Sequence, residues 1–422
     1  MTDPAQRPAL ARRLTTPDAV LIGIGSMVGA GLFSAFAPAA RSAGTWLLAA
    51  LAVAAVVAFC NAASSAQLAA QYPTSGGTYV YGRERLGPWW GFLAGWGFVV
   101  GKTASCAAMA LVFAAYVVPP AWQKPVGVAA VVALAAVNYR GITRTARLTR
   151  VIVAGVLSLI AVALVVIGTS TTGPATSTPG VTGSLGGVLQ GAAILFFAFA
   201  GYARIATLGE EVVDPARTIP RAIIGAFGIV VPLYAVTAVV LLLALGAGGL
   251  AQSAAPLRDA ASTVPPAATW LSIVVGVAAA AATLGALLAL IAGVGRTALA
   301  MAREGDLPRP LAAVHPRYAV PHVAEVAVAA IVCVLVLGSD LRGVIGFSSF
   351  GVLTYYAVAN ASALTQDRAH RRYPRFVGVV GLVGCAVLAL AVPLGSLVAG
   401  AVVLGVGLLG RLLVRVVRPS VR

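Results

Sequence analysis

Charge is scarce in this chain. Charged residues make up 10% of its 422 residues, and twelve are acidic, against roughly 25% charged in a soluble globular domain. Hydrophobic residues reach 60% and the mean hydropathy is +0.95, which excludes a soluble protein and leaves almost no chain for a soluble domain. None of the acids falls inside an apolar run; Glu325 comes nearest, about one turn in. A carboxylate at mid-membrane, ready to take a proton or a sodium ion, is therefore missing. Histidine is nearly absent, and His315, His322 and His370 sit in loops or at boundaries without metal-ligand spacing. The four cysteines, Cys60, Cys106, Cys333 and Cys385, lie in apolar runs and form no CxxC pair, so neither a disulfide framework nor a zinc site is expected. No Gly-x-Ser-x-Gly elbow and no P-loop occurs, which argues against an enzyme or an ATP-driven pump and implies no cofactor. A signal peptide with a small-residue cleavage site is also lacking, so the first apolar run is kept as a mature span.

What the chain does have is long apolar stretches. A spanning helix needs about 20 apolar residues. That ruler predicts twelve, at roughly 18–40, 45–70, 89–118, 121–139, 151–168, 187–208, 222–246, 269–295, 322–339, 342–364, 376–394 and 396–412. The net charge of +17 would suggest nucleic acid in a soluble protein, but here placement decides. Twenty-three of the 29 Lys and Arg fall on the N-terminus, the even-numbered loops and the tail. Four, Arg41, Lys124, Arg258 and Arg342, fall on the opposite side, and Lys102 and Arg204 remain within spans. Positive residues gather on the cytoplasmic side, so the pattern predicts an even number of spans with both termini cytoplasmic and no nucleic-acid role. The uncharged stretch 169–183 reads as an external loop, and 210–215 and 303–308 as polar cytoplasmic linkers.

Two stretches stand out. The first is Gly23-Ile24-Gly25-Ser26-Met27-Val28-Gly29-Ala30-Gly31-Leu32-Phe33, with four glycines in nine residues, which makes an unbroken helix costly. The second, in the sixth apolar run, is Phe196-Phe197-Ala198-Phe199-Ala200-Gly201-Tyr202-Ala203-Arg204, where one glycine sits among aromatics. Broken backbone survives in a bilayer only where it is buried or lines a cavity. Freed amides near Ala30 and Gly31 would suit an anion, and carbonyls near Met27 an ammonium. The bland alternative is that Gly25 and Gly29 let another helix approach closely, as small-xxx-small motifs do. A second break five spans after the first moves the binding reading ahead. Five is odd, so two tandem five-helix units would insert with opposite orientation, the inverted-repeat logic of secondary transporters. The resulting division is 1–17 cytoplasmic, 18–168 first repeat, 187–364 second repeat, 376–412 two peripheral helices and 413–422 a basic tail.

A basic side chain at a helix centre costs about 2.5–3.5 kcal/mol on insertion scales, so it is paired or faces a cavity. Lys102 lies about fourteen residues into the third span. It is a candidate for proton coupling or a fixed cation, and equally for a plain hydrogen bond to a broken-helix carbonyl. Arg204, near the cytoplasmic end of its span, is expected simply to reach Glu210 or Glu211. Together with Tyr202, the aromatic neighbour of Gly201, these form the coupling or gating candidates.

Several blocks resemble the amino acid–polyamine–organocation superfamily, nearest its cationic amino acid transporter branch and related bacterial permeases. They are residues 22–33; Tyr72-Pro73-Thr74-Ser75-Gly76-Gly77-Thr78-Tyr79; 196–220, ending Asp214-Pro215-Ala216-Arg217-Thr218-Ile219-Pro220; and 296–308, followed by His315-Pro316-Arg317. The resemblance implies a five-plus-five inverted repeat, broken first and sixth helices and alternating access. It implies a substrate carboxylate on the amides of Ala30 and Gly31, and an amino group on carbonyls of Met27, Phe197 and Ala200, with Gly29 and Gly201 in the same breaks. Two departures matter. Where relatives often carry an acid after Gly201 and its aromatic neighbour, this chain has Ala203 and then Arg204. Where some relatives place a lysine in the fifth span, it has Val156.

The expectation is a twelve-span secondary transporter of the plasma membrane, an all-α protein moving a neutral amino acid by proton coupling or exchange. A cationic amino acid or polyamine exchanger and an ethanolamine-like amine permease are the alternatives within the class. A channel would show pore-lining charge rings and a sensor an appended soluble domain; neither is visible. Beyond substrate, coupling proton and membrane lipids, no partner and no metal is implied.

Overall fold

The computed structural model describes residues 14–73, 76–141, 146–171, 183–206, 208–209 and 211–417. Its first helix, α1 (Thr16–Ser34), starts where Thr15 donates both its amide and its hydroxyl to the Asp18 carboxylate, at 3.0 and 2.7 Å. It is followed by α2 (Phe36–Ala43), a 3-10 turn, and α3 (Leu47–Gln71). A short helix, α4 (Thr78–Leu86), precedes α5 (Pro88–Val117), and then come α6 (Gln123–Tyr139) and α7 (Ala146–Ser170). The sixth run forms α8 (Leu185–Phe199), capped by the Ser184 hydroxyl on the amide of Gly187 at 3.0 Å. A 3-10 turn at Ala200–Tyr202 and the single turn α9 (Ala203–Ala206) complete it. The rest is α10 (Pro215–Gln252), α11 (Pro256–Ser262), α12 (Ala268–Arg303), α13 (His322–Gly338), α14 (Leu341–Leu364), α15 (Arg375–Ala391) and α16 (Leu394–Val417). Proline opens α5, α10 and α11, where its missing amide costs nothing. Within α10 the left-handed Gly246 (φ 66°) makes a kink.

Ten helical stretches among the described residues are long and apolar enough to cross a membrane; α13 and α15 are apolar but shorter, at 17 residues each. Their outer faces carry exposed Val151, Val165, Val334, Leu390, Leu409 and Leu413, a surface that suits hydrocarbon and not water. Exposed Trp46, Trp89, Trp90, Trp122 and Trp270 all stand at or near helix starts, the level at which indoles favour a membrane interface. α5 and α14 are the most enclosed spans, and α6 and α16 among the least.

Loops of one parity meet one another. At one end Leu14 pairs with Val212, Asp18 holds Arg150 at 2.7 Å, and Arg83 reaches Glu304 at 3.0 Å. At the other, Arg41 donates to the carbonyl of Ala251, Lys124 to that of Leu337 and Arg258 to that of Tyr116. Arg342 there donates to Ser42 and Gln190. All four cations expected on the minority side thus find partners on that side.

Three expectations are corrected. The first helix is not broken at its glycines: it runs through Gly29, Ala30 and Gly31 to Ser34, and the bend comes at Ala35, whose amide still bonds the carbonyl of Gly31 at 3.1 Å. Second, several helices outrun the apolar core: α10 takes in Arg217 and Arg221, and α12 takes in Arg296 and Arg303, so these are helical end residues and not linker. Third, the external loop expected at 169–183 begins later, because Thr169 and Ser170 close α7; 172–182 lie outside the described residues, as does Glu210.

Candidate functional site

The glycines of α1 remove bulk where other helices press against it. A Cβ at Gly29 would stand 2.5 Å from the Ala286 Cβ on α12, and one at Gly25 would stand 2.7 Å from Val153 on α7. At Gly31 it would overlap Ala198 of α8, and at Gly23 it would overlap Ile205 of α9. Across this contact, a Cβ at Gly201 would overlap the carbonyl of Ser26 and approach the amide nitrogen of Met27 to 2.5 Å. The close-approach reading of these glycines is therefore the one the geometry supports. It also brings the two unusual stretches into direct contact, α1 against the 3-10 turn that ends α8.

The change from α-helix to 3-10 at Ala200–Tyr202 alters which carbonyls are engaged. The amide of Ala200 bonds back to the carbonyls of Phe196 and Phe197. The carbonyl of Ala200 takes two side-chain donors: the Lys102 Nζ at 3.0 Å, from α5, and the Tyr356 hydroxyl at 3.2 Å, from α14. A second hydroxyl, on Tyr234 of α10, lies 2.7 Å from the carbonyl of Met27 and 3.0 Å from that of Ala198. It has one proton for two acceptors, so it clasps α1 and α8 together. Carbonyls from both stretches thus converge on a buried region whose polar donors come from α5, α10 and α14.

Lys102 is held there by packing. Gly97 and Gly101 on α5 face Gly351 and the carbonyl of Ser348 on α14, with room for no side chain. One turn on, the hydroxyls of Ser105 and Ser348 lie 2.6 Å apart. This seam places the lysine, 6% exposed, between α14 and the 3-10 turn. Around it Tyr202 stacks on Tyr356 at 4.9 Å, Phe196 meets the same ring edge-on at 5.8 Å, and Phe199 lies 5.1 Å from Tyr234. Phe197 is buried in the same core.

Of the residues expected from sequence, Met27, Gly31, Ala200, Gly201, Tyr202 and Lys102 are brought together, with Phe197 beside them. The amides of Ala30 and Gly31 lie within continuous α-helix, where an amide bonds the carbonyl four residues back, so they do not form the freed cradle that was expected. Arg204 stands apart from Lys102 in a different field, that of Glu211 and Arg296, close to the expected reach toward Glu211. Val156, where a lysine was sought, is a buried core residue of α7. Tyr234 and Tyr356 were missed. Their signal was available, since a phenol inside an apolar span needs a partner for its hydroxyl.

Where α1 meets the 3-10 turn there is thus a buried cluster of main-chain acceptors with one cation and no acid among the side chains named. With membrane-length helices around it, this is the core of a multi-pass membrane transporter. The family model for amino acid permeases matches residues 14–408, so the chain belongs to that family, within the amino acid–polyamine–organocation superfamily. It is 60% identical to an uncharacterized transporter of Mycobacterium tuberculosis over 407 residues, which is 96% of this chain and 92% of the relative. A cationic amino acid transporter of Arabidopsis thaliana is 28% identical, covering 83% of this chain and 65% of its own length. The branched-chain amino acid permease BcaP of Bacillus subtilis is 27% identical, covering 75% and 72%. The protein is a transporter and not an enzyme.

Proposed function

We propose that this protein is a secondary active transporter that carries neutral amino acids across the plasma membrane by alternating access. The observation that carries the reading is the junction of α1 with the 3-10 turn after α8. There the carbonyl of Ala200 is engaged by the cation of Lys102 and the hydroxyl of Tyr356, and among the described residues no carboxylate bonds to any of the three. A site holding a positive charge and no acid repels a second side-chain cation, which favours a neutral side chain over arginine or a polyamine. The relatives named for branched-chain and cationic amino acids support the α-amino acid class.

In this reading the substrate amino group takes the carbonyls of Met27, Phe197 and Ala200, and α1 from Met27 through Gly29 and Ala30 to Gly31 forms the facing wall, with Gly201 keeping the two elements close. The twelve apolar helices act as twelve spans with both termini cytoplasmic, in repeats 18–168 and 187–364, with 376–412 peripheral. Coupling is to a proton or to exchange, with Lys102 as the proton carrier; Tyr202 and Arg204 lie on the cytoplasmic route. Cys106, on the same helix, acts electrostatically on Lys102, and Tyr356 on α14 shares its acceptor, the carbonyl of Ala200.

The test is a thermal-shift screen of the purified protein against the amino acids and simple amines, followed by uptake into proteoliposomes. A ligand that binds only the folded state raises its melting temperature. Shifts with neutral amino acids, and uptake of these over arginine, are expected. Preferential uptake of arginine, lysine or polyamines would overturn the neutral assignment. Uptake driven by an imposed pH gradient in the wild type but not in Lys102→Met, with substrate binding largely intact in the variant, would assign coupling to that lysine.

A further inference from the structure

We infer that a cleft at the end of the bundle opposite Leu14 and Arg83 binds the phosphate of an anionic phospholipid, with Arg41 and Arg342 as its cations and the exposed apolar faces of α15 and α16 carrying the acyl chains. The cleft, of about 640 Å³, opens where α2 ends, where α8 and α14 begin, and where the chain turns from α15 into α16. Arg41 and Arg342 line it with Ser42, Ser184, Gly186 and Gln190, and no acidic side chain is among its lining residues. Asp340, the acid nearest to Arg342 in sequence, accepts instead from the amide of Gly343 at 3.3 Å as the cap of α14. Of the four cations grouped at this end, Arg41, Lys124, Arg258 and Arg342, two share this one cleft.

Both guanidiniums have donors to spare. Arg41 gives its Nε to the carbonyl of Ala251, and its outer two nitrogens have no acceptor among the described residues. Arg342 gives Nη2 to the Ser42 hydroxyl at 3.1 Å and to Gln190 Oε1 at 3.0 Å, while its Nε is buried with no acceptor among the described residues. Ser42 donates to the same Gln190 oxygen at 2.9 Å, so the polar floor is tied in place by neutral partners that cancel none of the charge. Two like charges on one wall repel each other, and an anion seated between them removes the repulsion while accepting from both. The first turn of α8, with Gly186 in the lining, adds the positive end of a helix of 15 residues. The rim decides between a soluble anion and a lipid. Leu390 and Leu394 edge the cleft and are 71% and 73% exposed. From Leu394 an exposed stripe continues at every fourth residue of α16, through Val398, Val402 and Val406, and on α15 exposed Val383 and Val387 lead up to Leu390. Exposed Trp46 packs beside Gly183, just before α8, which sets the cleft at the level of the headgroups. A phosphate ester bearing acyl chains fits a cationic cleft that opens onto apolar surface; inorganic phosphate would use only half of it.

The experiment uses the full chain, purified in a neutral detergent and stripped of lipid. Binding of dioleoylphosphatidylglycerol, dioleoylphosphatidylcholine, dihexanoylphosphatidylglycerol and inorganic phosphate is followed by native mass spectrometry and by melting temperature. The wild type is expected to bind dioleoylphosphatidylglycerol more tightly than the other three. Arg41→Gln and Arg342→Gln should each weaken that binding about fivefold, the factor one basic residue carries beside an anionic headgroup, and the double variant by roughly the product. Lysine at either position keeps the charge and should retain most of the binding, which guards against a loss caused by misfolding. Arg258→Gln, at the same end but bonded to the carbonyl of Tyr116 and outside the cleft, should leave binding unchanged. Leu390→Gln combined with Leu394→Gln should weaken the dioleoyl lipid and leave the dihexanoyl one as it was. If the arginine variants of the cleft bind as the wild type does, or if Arg258→Gln loses as much as they do, the inference is overturned. Phosphatidylcholine bound as tightly as phosphatidylglycerol overturns the anionic selectivity, and inorganic phosphate bound as tightly as the long-chain lipid overturns the lipid assignment.

Discussion

The guanidinium of Arg411, on α16, lies 2.7 Å from the carboxylate of Asp306, and the two side chains are only 2% and 5% exposed. The same carboxylate accepts the Tyr79 hydroxyl at 2.9 Å and faces Arg83 at 3.3 Å. Arg411 also donates to the carbonyl of Pro88 at 2.6 Å and lies over the rings of Trp89 and Phe92 at 4.8 and 4.7 Å. A helix expected at the periphery is thus bolted to the segment after α12 and to the start of α5. Removing one partner from a buried pair leaves an uncompensated charge, which costs about 3–5 kcal/mol. Asp306→Asn should lower the melting temperature sharply. The double variant Asp306→Leu with Arg411→Met should recover much of the loss, since it removes both deeply buried charges, while the more exposed Arg83 keeps Glu304 at 3.0 Å. A double variant no more stable than Asp306→Asn would show that the pair also sets the fold locally.

Gly201 and Gly228 give opposite expectations for the same substitution. A Cβ at Gly201 collides with main-chain atoms of Ser26 and Met27, which cannot rotate away. Gly201→Ala should therefore cost about 1–3 kcal/mol, as overpacking does, and should reduce uptake by pushing α1 from the 3-10 turn. At Gly228, in α10, a Cβ meets nothing within 4 Å. Gly228→Ala should be neutral or stabilising by about 0.4–1 kcal/mol. Parallel melting curves of the two variants decide the matter; equal effects would mean that the Gly201 contact is loose.

How much of this was legible in the sequence depends on which physics wrote it. Hydropathy over some twenty residues is a local property, so the apolar stretches and the parity of their charges were readable before any coordinates. Helix ends were not, because Arg217 in α10 and Arg303 in α12 extend helices beyond the apolar run without changing its hydrophobicity. The glycines of residues 23–31 marked a stretch of close helix contact, for a different local reason from the one expected. Glycine lowers helix propensity and permits close approach alike, and only the neighbours, Ala198, Ala286 and Val153, tell the two apart. The pairing of Lys102 with Ala200 spans 98 residues; that the lysine needed a partner was deducible, and which of the two readings held was not. Arg411 stands at the end of the apolar run 396–412, and nothing in that segment reveals its partner Asp306.

Tyr234 tests whether the clasp between α1 and α8 matters for transport or only for packing. Its ring lies 5.1 Å from Phe199 and 6.1 Å from Phe36, contacts that phenylalanine keeps, so Tyr234→Phe deletes the hydroxyl and little else. One hydroxyl shared by two buried carbonyls is worth about 1 kcal/mol. Tyr116→Phe is the control, because its hydroxyl bonds the carbonyl of Phe33 at 3.0 Å, away from the 3-10 turn, and also lies within a buried aromatic contact. Both variants should lose stability by a similar small amount. Uptake should fall further in Tyr234→Phe, because that hydroxyl alone ties the carbonyl of Met27 to that of Ala198, beside the proposed substrate position. The check is uptake into proteoliposomes at matched protein content, set against each variant's melting temperature. Equal losses of uptake for equal losses of stability would reduce the Tyr234 clasp to a packing contact.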